Sequence, residues 1–173
     1  MSRPLTSNPH APSSSVHIRP AGPADLDAID ALERGAFAQD RFARRNLRRL
    51  LTRPSALVLL AERAGEHGPE RVGYALILYR RNATVARLYS IAVDETARGQ
   101  GIGPALVEEA ARHAAQRGCR RLRLEVRRSN GAAQRSYERS AFRRTGIRPA
   151  YYDDGEDAVI METEIAMREH TQS

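Results

Sequence analysis

The chain contains no lysine: all 28 of its basic residues are arginine, set against 21 acidic ones, for a formal net charge of +7. Arginine used throughout follows from GC-rich coding as readily as from function, so charge alone selects no partner. Tryptophan is also missing, and aromatic residues make up only 5% of the chain. The arginine cluster Arg44, Arg45, Arg48 and Arg49 therefore lacks the interleaved rings that a single-strand nucleic-acid binder uses for stacking. Neither zinc-finger spacing nor a helix-turn-helix signal accompanies it, and a solvated helix face is the expectation rather than nucleic-acid binding. The single cysteine, Cys119, excludes an intrachain disulfide and suits a cytoplasmic location. Lying between Gly118 and Arg120 at a helix-to-strand turn, it reads as an incidental thiol rather than a nucleophile. No apolar run approaches the ~20 residues of a membrane span, and no secretory-signal pattern opens the chain, so no membrane partner is expected. His113 has no second ligand at metal spacing, and no metal is expected.

What is present fits one domain of 173 residues. Residues 1–15, with three prolines and a run of serines, read as a disordered tail; 16–168 form the domain, and 169–173 a short C-terminal tail. A short strand at Val16–Arg19 precedes a helix opened by Pro23 and running to Phe37, with Leu26, Ile29, Leu32 and Ala36 inward. A second helix spans about Arg41–Thr52. Strands at Ala56–Arg63 and Val72–Arg81 make an antiparallel hairpin with a long polar loop, 64–70. A strand at Thr84–Val93 enters a loop with glycine at 99, 101 and 103, followed by a helix to Arg117 that Gly118 ends. Arg120–Arg127 alternates, with Leu122, Leu124 and Val126 on one face and Arg121, Arg123, Glu125 and Arg127 on the other. Asn130 caps a helix to Ser140, and strands at Phe142–Ile147 and Ala158–Ile165 close the domain. The order β-α-α-β-β-β-α-β-α-β-β defines a mixed α/β fold.

The glycine loop is the centre of this pattern. Backbone N–H groups gathered at a helix N-terminus make a seat for phosphate, although a glycine-rich turn on its own is a weak signal. Four blocks make it specific: Ile91-Ala-Val-Asp94 leading to Arg98-Gly-Gln-Gly-Ile-Gly103, Leu124-Glu-Val-Arg-Arg-Ser-Asn130, Tyr137-Glu138, and Tyr151-Tyr-Asp-Asp-Gly-Glu-Asp-Ala158. In this order they resemble the GCN5-related N-acetyltransferase superfamily over about residues 16–165. Within it they are most similar to the bacterial enzymes that acetylate ribosomal-protein alanine and other protein N-termini.

The resemblance implies a mostly antiparallel central sheet flanked by helices, and acetyl-CoA as co-substrate without a metal. Its pantetheine would lie along Ile91, Ala92 and Val93, its pyrophosphate on Arg98, Gly99, Gln100, Gly101, Ile102 and Gly103, with Asn130 near the pantetheine arm. Pro104 departs from the pattern by removing one N–H donor. Acetyl transfer to an amine needs a base and an acid for the departing thiolate; the matching residues are Glu125 and Tyr137. Glu125 could equally be a surface carboxylate paired with Arg123 or Arg127, and Tyr137 a packing residue. Tyr151, Tyr152, Tyr89 and Phe37 are candidates for the acceptor groove, with Asp153, Asp154, Glu156 and Asp157 drawing in a cationic amine. The implied activity is acetylation of a peptide or protein α-amine in a ternary complex. A small amine (amino acid, polyamine or drug) as acceptor, or a non-catalytic acyl-CoA-binding module, remain the alternatives, and both monomer and homodimer are open. The segment Gly35–Phe42 lacks the tryptophan usual in the ribosomal-protein enzymes, so the sequence does not name a ribosomal substrate.

Overall fold

The computed structural model describes residues 15–37 and 40–166. The C-terminal tail, and the N-terminal tail apart from Ser15, lie outside them. The element order is β1 (His17–Pro20), α1 (Leu26–Ala36), α2 (Arg44–Leu50), β2 (Ala56–Gly65), β3 (Gly68–Leu78), β4 (Val85–Val93), α3 (Ile102–Gln116), β5 (Arg121–Arg127), α4 (Gly131–Arg139), β6 (Arg143–Arg148) and β7 (Ala158–Glu164). One seven-stranded sheet runs β1-β2-β3-β4-β5-β7-β6, and only the β4–β5 neighbours are parallel.

Period-two alternation divides the strands between two cores. Leu59 and Ala61 of β2 with Ala75 and Ile77 of β3 face Ile102, Leu106, Ala110 and Ala114 of α3. Their neighbours Val58, Leu60, Tyr74 and Leu76 face Leu26, Ile29 and Leu32 of α1 and Leu47 of α2. Helices thus cover both faces. Gly73 permits the closest approach, since a Cβ there would stand 3.0 Å from the Ala92 carbonyl oxygen and 3.2 Å from Ile102 and Leu106 side-chain carbons. Of the two candidates for the last inward position of α3, Ala114 is buried and His113 lies at the margin.

Two elements differ from the sequence reading. The β2–β3 loop is not long: the strands pair down to Gly65 opposite Gly68, leaving Glu66 and His67 as the turn, with Gly68 at φ +110°. The polar composition of 64–70 had concealed continued pairing of an exposed ribbon. Helix α2 starts at Arg44 rather than Arg41, because Ala43 is extended and the Phe42 N–H is taken by the side chain of Glu33 (2.9 Å).

Candidate active site

Strands β4 and β5 pair at only three positions, Val85–Arg121, Ala86–Leu122 and Arg87–Arg123, and then diverge. A register shift on β4 contributes, because Leu76 lies opposite Ser90 and Ile77 opposite Leu88, which leaves Tyr89 as a bulge. Between the parted strands lies a groove of about 860 Å³. Phe37, Tyr89, Ile91, Glu125, Asn130, Tyr137, Tyr151 and Tyr152 all line it. Segments far apart in the chain therefore meet around one cavity.

Glu125 lies on the groove wall, yet its side chain is only 3% exposed. Its Oε2 accepts from Arg87 Nε at 2.9 Å, and its Oε1 is buried without a hydrogen bond, 3.8 Å from Arg148 Nη2. The pairing with Arg123 or Arg127 considered from sequence does not occur. Arg123 binds Glu162 (2.7 Å), and Arg127 binds Asp40 (2.7 Å) and Asp154 (2.8 Å). These arginines found carboxylates outside their own strand, which alternation cannot reveal.

Tyr137 of α4 packs edge-on against Phe142, ring centroids 5.6 Å apart. Burial, reinforced by nearby Tyr152, pushes its phenol up to about 12. It therefore keeps its proton through the neutral range. Asn130 caps α4, its Oδ1 accepting from the Ala133 N–H at 3.1 Å, and buried Gln134 donates to the carbonyls of Arg127 (3.1 Å) and Arg128 (3.0 Å). These bonds set the turn that carries β5 into α4.

Beyond the groove, β4 continues through a 3-10 turn at Glu95–Ala97 into the glycine loop. Gly99 (φ +77°) and Gly101 (φ +79°) adopt left-handed backbone, and a Cβ at either would meet no atom within 4 Å. Gly103 needs no such conformation. The N–H groups of Gly99, Gln100 and Gly101 donate to no acceptor among the described residues, and those of Ile102 and Gly103 open α3. Ala92 and Ile102 are buried. This open ring of donors at a helix N-terminus suits a pyrophosphate.

The opposite side of the groove is built from ion pairs and rings. Arg127 joins Asp40 of the α1–α2 connection to Asp154 of the β6–β7 loop, with its guanidinium 4.1 Å from the Tyr152 ring centroid. Arg87 also donates to the Tyr151 hydroxyl and lies 4.6 Å from the Tyr89 ring centroid. The loop carboxylates expected to attract an amine are mostly committed: Asp154 to Arg127, Asp157 to Arg128, and Glu156 to Ser129. The sequence reading missed Glu33, Arg87, Arg127, Gln134 and Arg148 as site residues. Of these only Glu33 left a trace, four residues after Ile29 on the inward stripe of α1.

Residues 25–142 match the family model described as Acetyltransferase (GNAT) family. The chain belongs to the GNAT family. It is an N-acetyltransferase by family, and its sheet and helices have the arrangement of its GNAT neighbours. A putative ribosomal protein bS18-alanine N-acetyltransferase of Bacillus subtilis is 34% identical over 138 residues, covering 79% of this chain and 87% of the relative. The crystal structure of the ribosomal-protein-S18-alanine N-acetyltransferase from Escherichia coli superposes with TM-score 0.76 at 30% identity, covering 92% of this chain and 99% of that one. The GNAT fold is also that of Arabidopsis thaliana NAA60 in complex with acetyl-CoA, with TM-score 0.77 at 22% identity, covering 87% of this chain and 99% of that one. Among the described residues no helix is long and apolar enough to cross a membrane, and no cluster of three metal-type side chains occurs.

Proposed function

We propose that this GNAT enzyme transfers the acetyl group of acetyl-CoA to the α-amine of a peptide or protein, with Glu125 as base and Tyr137 as acid. The observation that carries this reading is the Oε1 atom of Glu125, a buried acceptor without a donor on the wall of an open groove. Such an atom costs free energy unless a ligand or water completes it. An arriving amine supplies N–H groups. The carboxylate takes the ammonium's extra proton, directly or through one water, and frees the lone pair that attacks the thioester carbonyl carbon. As the C–S bond breaks, Tyr137 gives its proton to the thiolate; the nitrogen's second proton returns to the tyrosinate, and the first leaves Glu125 for solvent.

The donor fits the other half. The free N–H groups of residues 99–103 suit the pyrophosphate, and the parted edge of β4 at Ile91–Val93 suits an extended pantetheine. A peptide is favoured over a small amine because the opposite half is an open channel between two loops, walled by Phe37, Phe42, Tyr89, Tyr151 and Tyr152. The bS18-alanine activity of the relatives supports an α-amine acceptor without making the ribosomal protein the substrate here. The same relationship supports a cytoplasmic location.

The test is thiol release from acetyl-CoA with a panel of short peptides and small amines, each product confirmed by mass. Acetylation of free but not N-terminally blocked peptides supports the reading. Turnover of small amines alone replaces the acceptor, and acetyl-CoA binding without any turnover replaces the enzyme with a binding module.

A further inference from the structure

Glu33 is the one carboxylate in the described residues with no solvent exposure at all, at 0%, and the chemistry above does not use it. Burial raises its pKa, opposed by hydrogen bonds from Tyr74 and the Phe42 amide. A methionine would fill a similar volume without the cost of desolvating a carboxyl. What the carboxyl adds is geometry. The Glu33 main-chain carbonyl accepts from the Phe37 N–H at 3.0 Å, and its side-chain Oε1 accepts from the Phe42 N–H at 2.9 Å. One residue therefore holds both ends of the α1–α2 connection, and both ends carry a ring that lines the groove. Through Oε2 the same carboxyl meets the Tyr74 hydroxyl, which lies 3.0 Å from Ser90 Oγ beside the bulge on β4. The Phe42 ring then packs on Tyr89 of that bulge, centroids 5.2 Å apart. Glu33 thus registers the connection against the bulged strand from below, while Arg127 ties Asp40 of the same connection from outside.

We propose that Glu33 is a positioning residue for the acceptor: its buried clamp on Phe42, Tyr74 and Ser90 sets the aromatic wall against which the incoming amine-bearing chain is aligned. This rests on reading the groove as the acceptor site. The clamp needs a hydrogen-bonding atom at each oxygen position rather than a charge. Glutamine can accept from the Phe42 N–H and present its amide to the Tyr74 oxygen, whereas methionine leaves both partners without one. Acetyl-CoA, held by the glycine loop on the other core, is outside its reach.

The experiment compares wild type with Glu33→Gln, Glu33→Met and Tyr74→Phe, using hydrogen exchange at the Phe42 amide and steady-state kinetics with the best acceptor from the panel. In Glu33→Met the Phe42 amide exchanges at least about tenfold faster while amides of β3 and β4 keep their protection, and the acceptor KM rises about tenfold. Its acetyl-CoA KM and kcat stay within about twofold of wild type. Glu33→Gln restores both readouts to near wild type. Tyr74→Phe keeps the Phe42 protection and raises the acceptor KM by about threefold, since the hydroxyl that links Glu33 to Ser90 is lost while the Phe42 N–H keeps its acceptor. Unchanged Phe42 exchange in folded Glu33→Met overturns the proposal, as does a parallel rise in both KM values. Should the methionine variant not fold, a Tyr74→Phe enzyme with wild-type acceptor KM overturns it. Should wild type turn over no amine, the acyl-acceptor reading falls, and exchange at Phe42 decides the clamp separately.

Discussion

The two halves of the groove are made in opposite ways. The half proposed for acetyl-CoA is main chain: free N–H groups of a loop whose two left-handed glycines keep side chains away, and the unpaired edge of one strand. The half proposed for the acceptor is side chain: Arg87, Arg127, Glu125 and five aromatic rings, brought from α1–α2, β4, β5 and the β6–β7 loop. A main-chain site serves any chain that supplies the right turn, because peptide groups are the same everywhere. A side-chain site depends on each participating residue, and it is where substrate choice is set. Substitutions in one half should therefore move one KM and spare the other.

The largest effect should come from the junction of the halves. Tyr137→Phe is expected to lower kcat by about 10²–10⁴ while calorimetry still shows acetyl-CoA binding. In wild type, burial holds this phenol up to about 12. It loses its proton only as pH rises toward that value, so kcat should hold its plateau past pH ~10, where an exposed phenol titrates. A decline centred near 9 that disappears in Tyr137→Phe would remove it as the acid. Next, Gly101→Val forces a β-branched residue into left-handed backbone at a cost of about 1–2 kcal/mol or more. It should raise the acetyl-CoA KM about tenfold with the acceptor KM unchanged; equal changes in both would erase the distinction between the halves. Conversely, Arg127→Gln unties the two acceptor loops. A three- to tenfold rise in acceptor KM alone is expected, about the scale of a partly exposed ion-pair network, and the wild-type advantage should shrink in high salt. The smallest effect tests the one defect in the main-chain half. Pro104→Ala returns an N–H to the first turn of α3 and should lower the acetyl-CoA KM by about two- to threefold, measurable by titration.

The same contrast governs what could be read from sequence. The glycine loop, the Asn130 cap and the alternation of β5 are local, so their residues were legible, and the element order with them. Glu125 and Tyr137 came from motif resemblance. Their surroundings did not, because Arg87 and Tyr151 are 64 positions apart and Arg127 and Asp40 are 87, distances over which no periodicity carries information. Glu33 occupied a visible position, the inward stripe of α1. A glutamate at such a position was a sign of a buried polar contact, but its partners Tyr74 and Phe42 lie on other elements. The long β2–β3 loop was misread for a different reason: an exposed hairpin end carries the composition of a loop while keeping its ladder.

The brief pairing of β4 with β5 also bears on solubility and self-association. An open sheet has two edges, here β1 and β6, but this one has two further edges inside it, where the parted strands expose main-chain donors and acceptors to each other across a gap. Unpaired edges of this kind are templates for pairing with another chain. Here they face each other across a groove bordered by the α1–α2 connection and the β6–β7 loop, which Arg127 ties together, so an incoming strand has to pass between two linked loops. The ties that border the groove thus also narrow the approach to these inner edges.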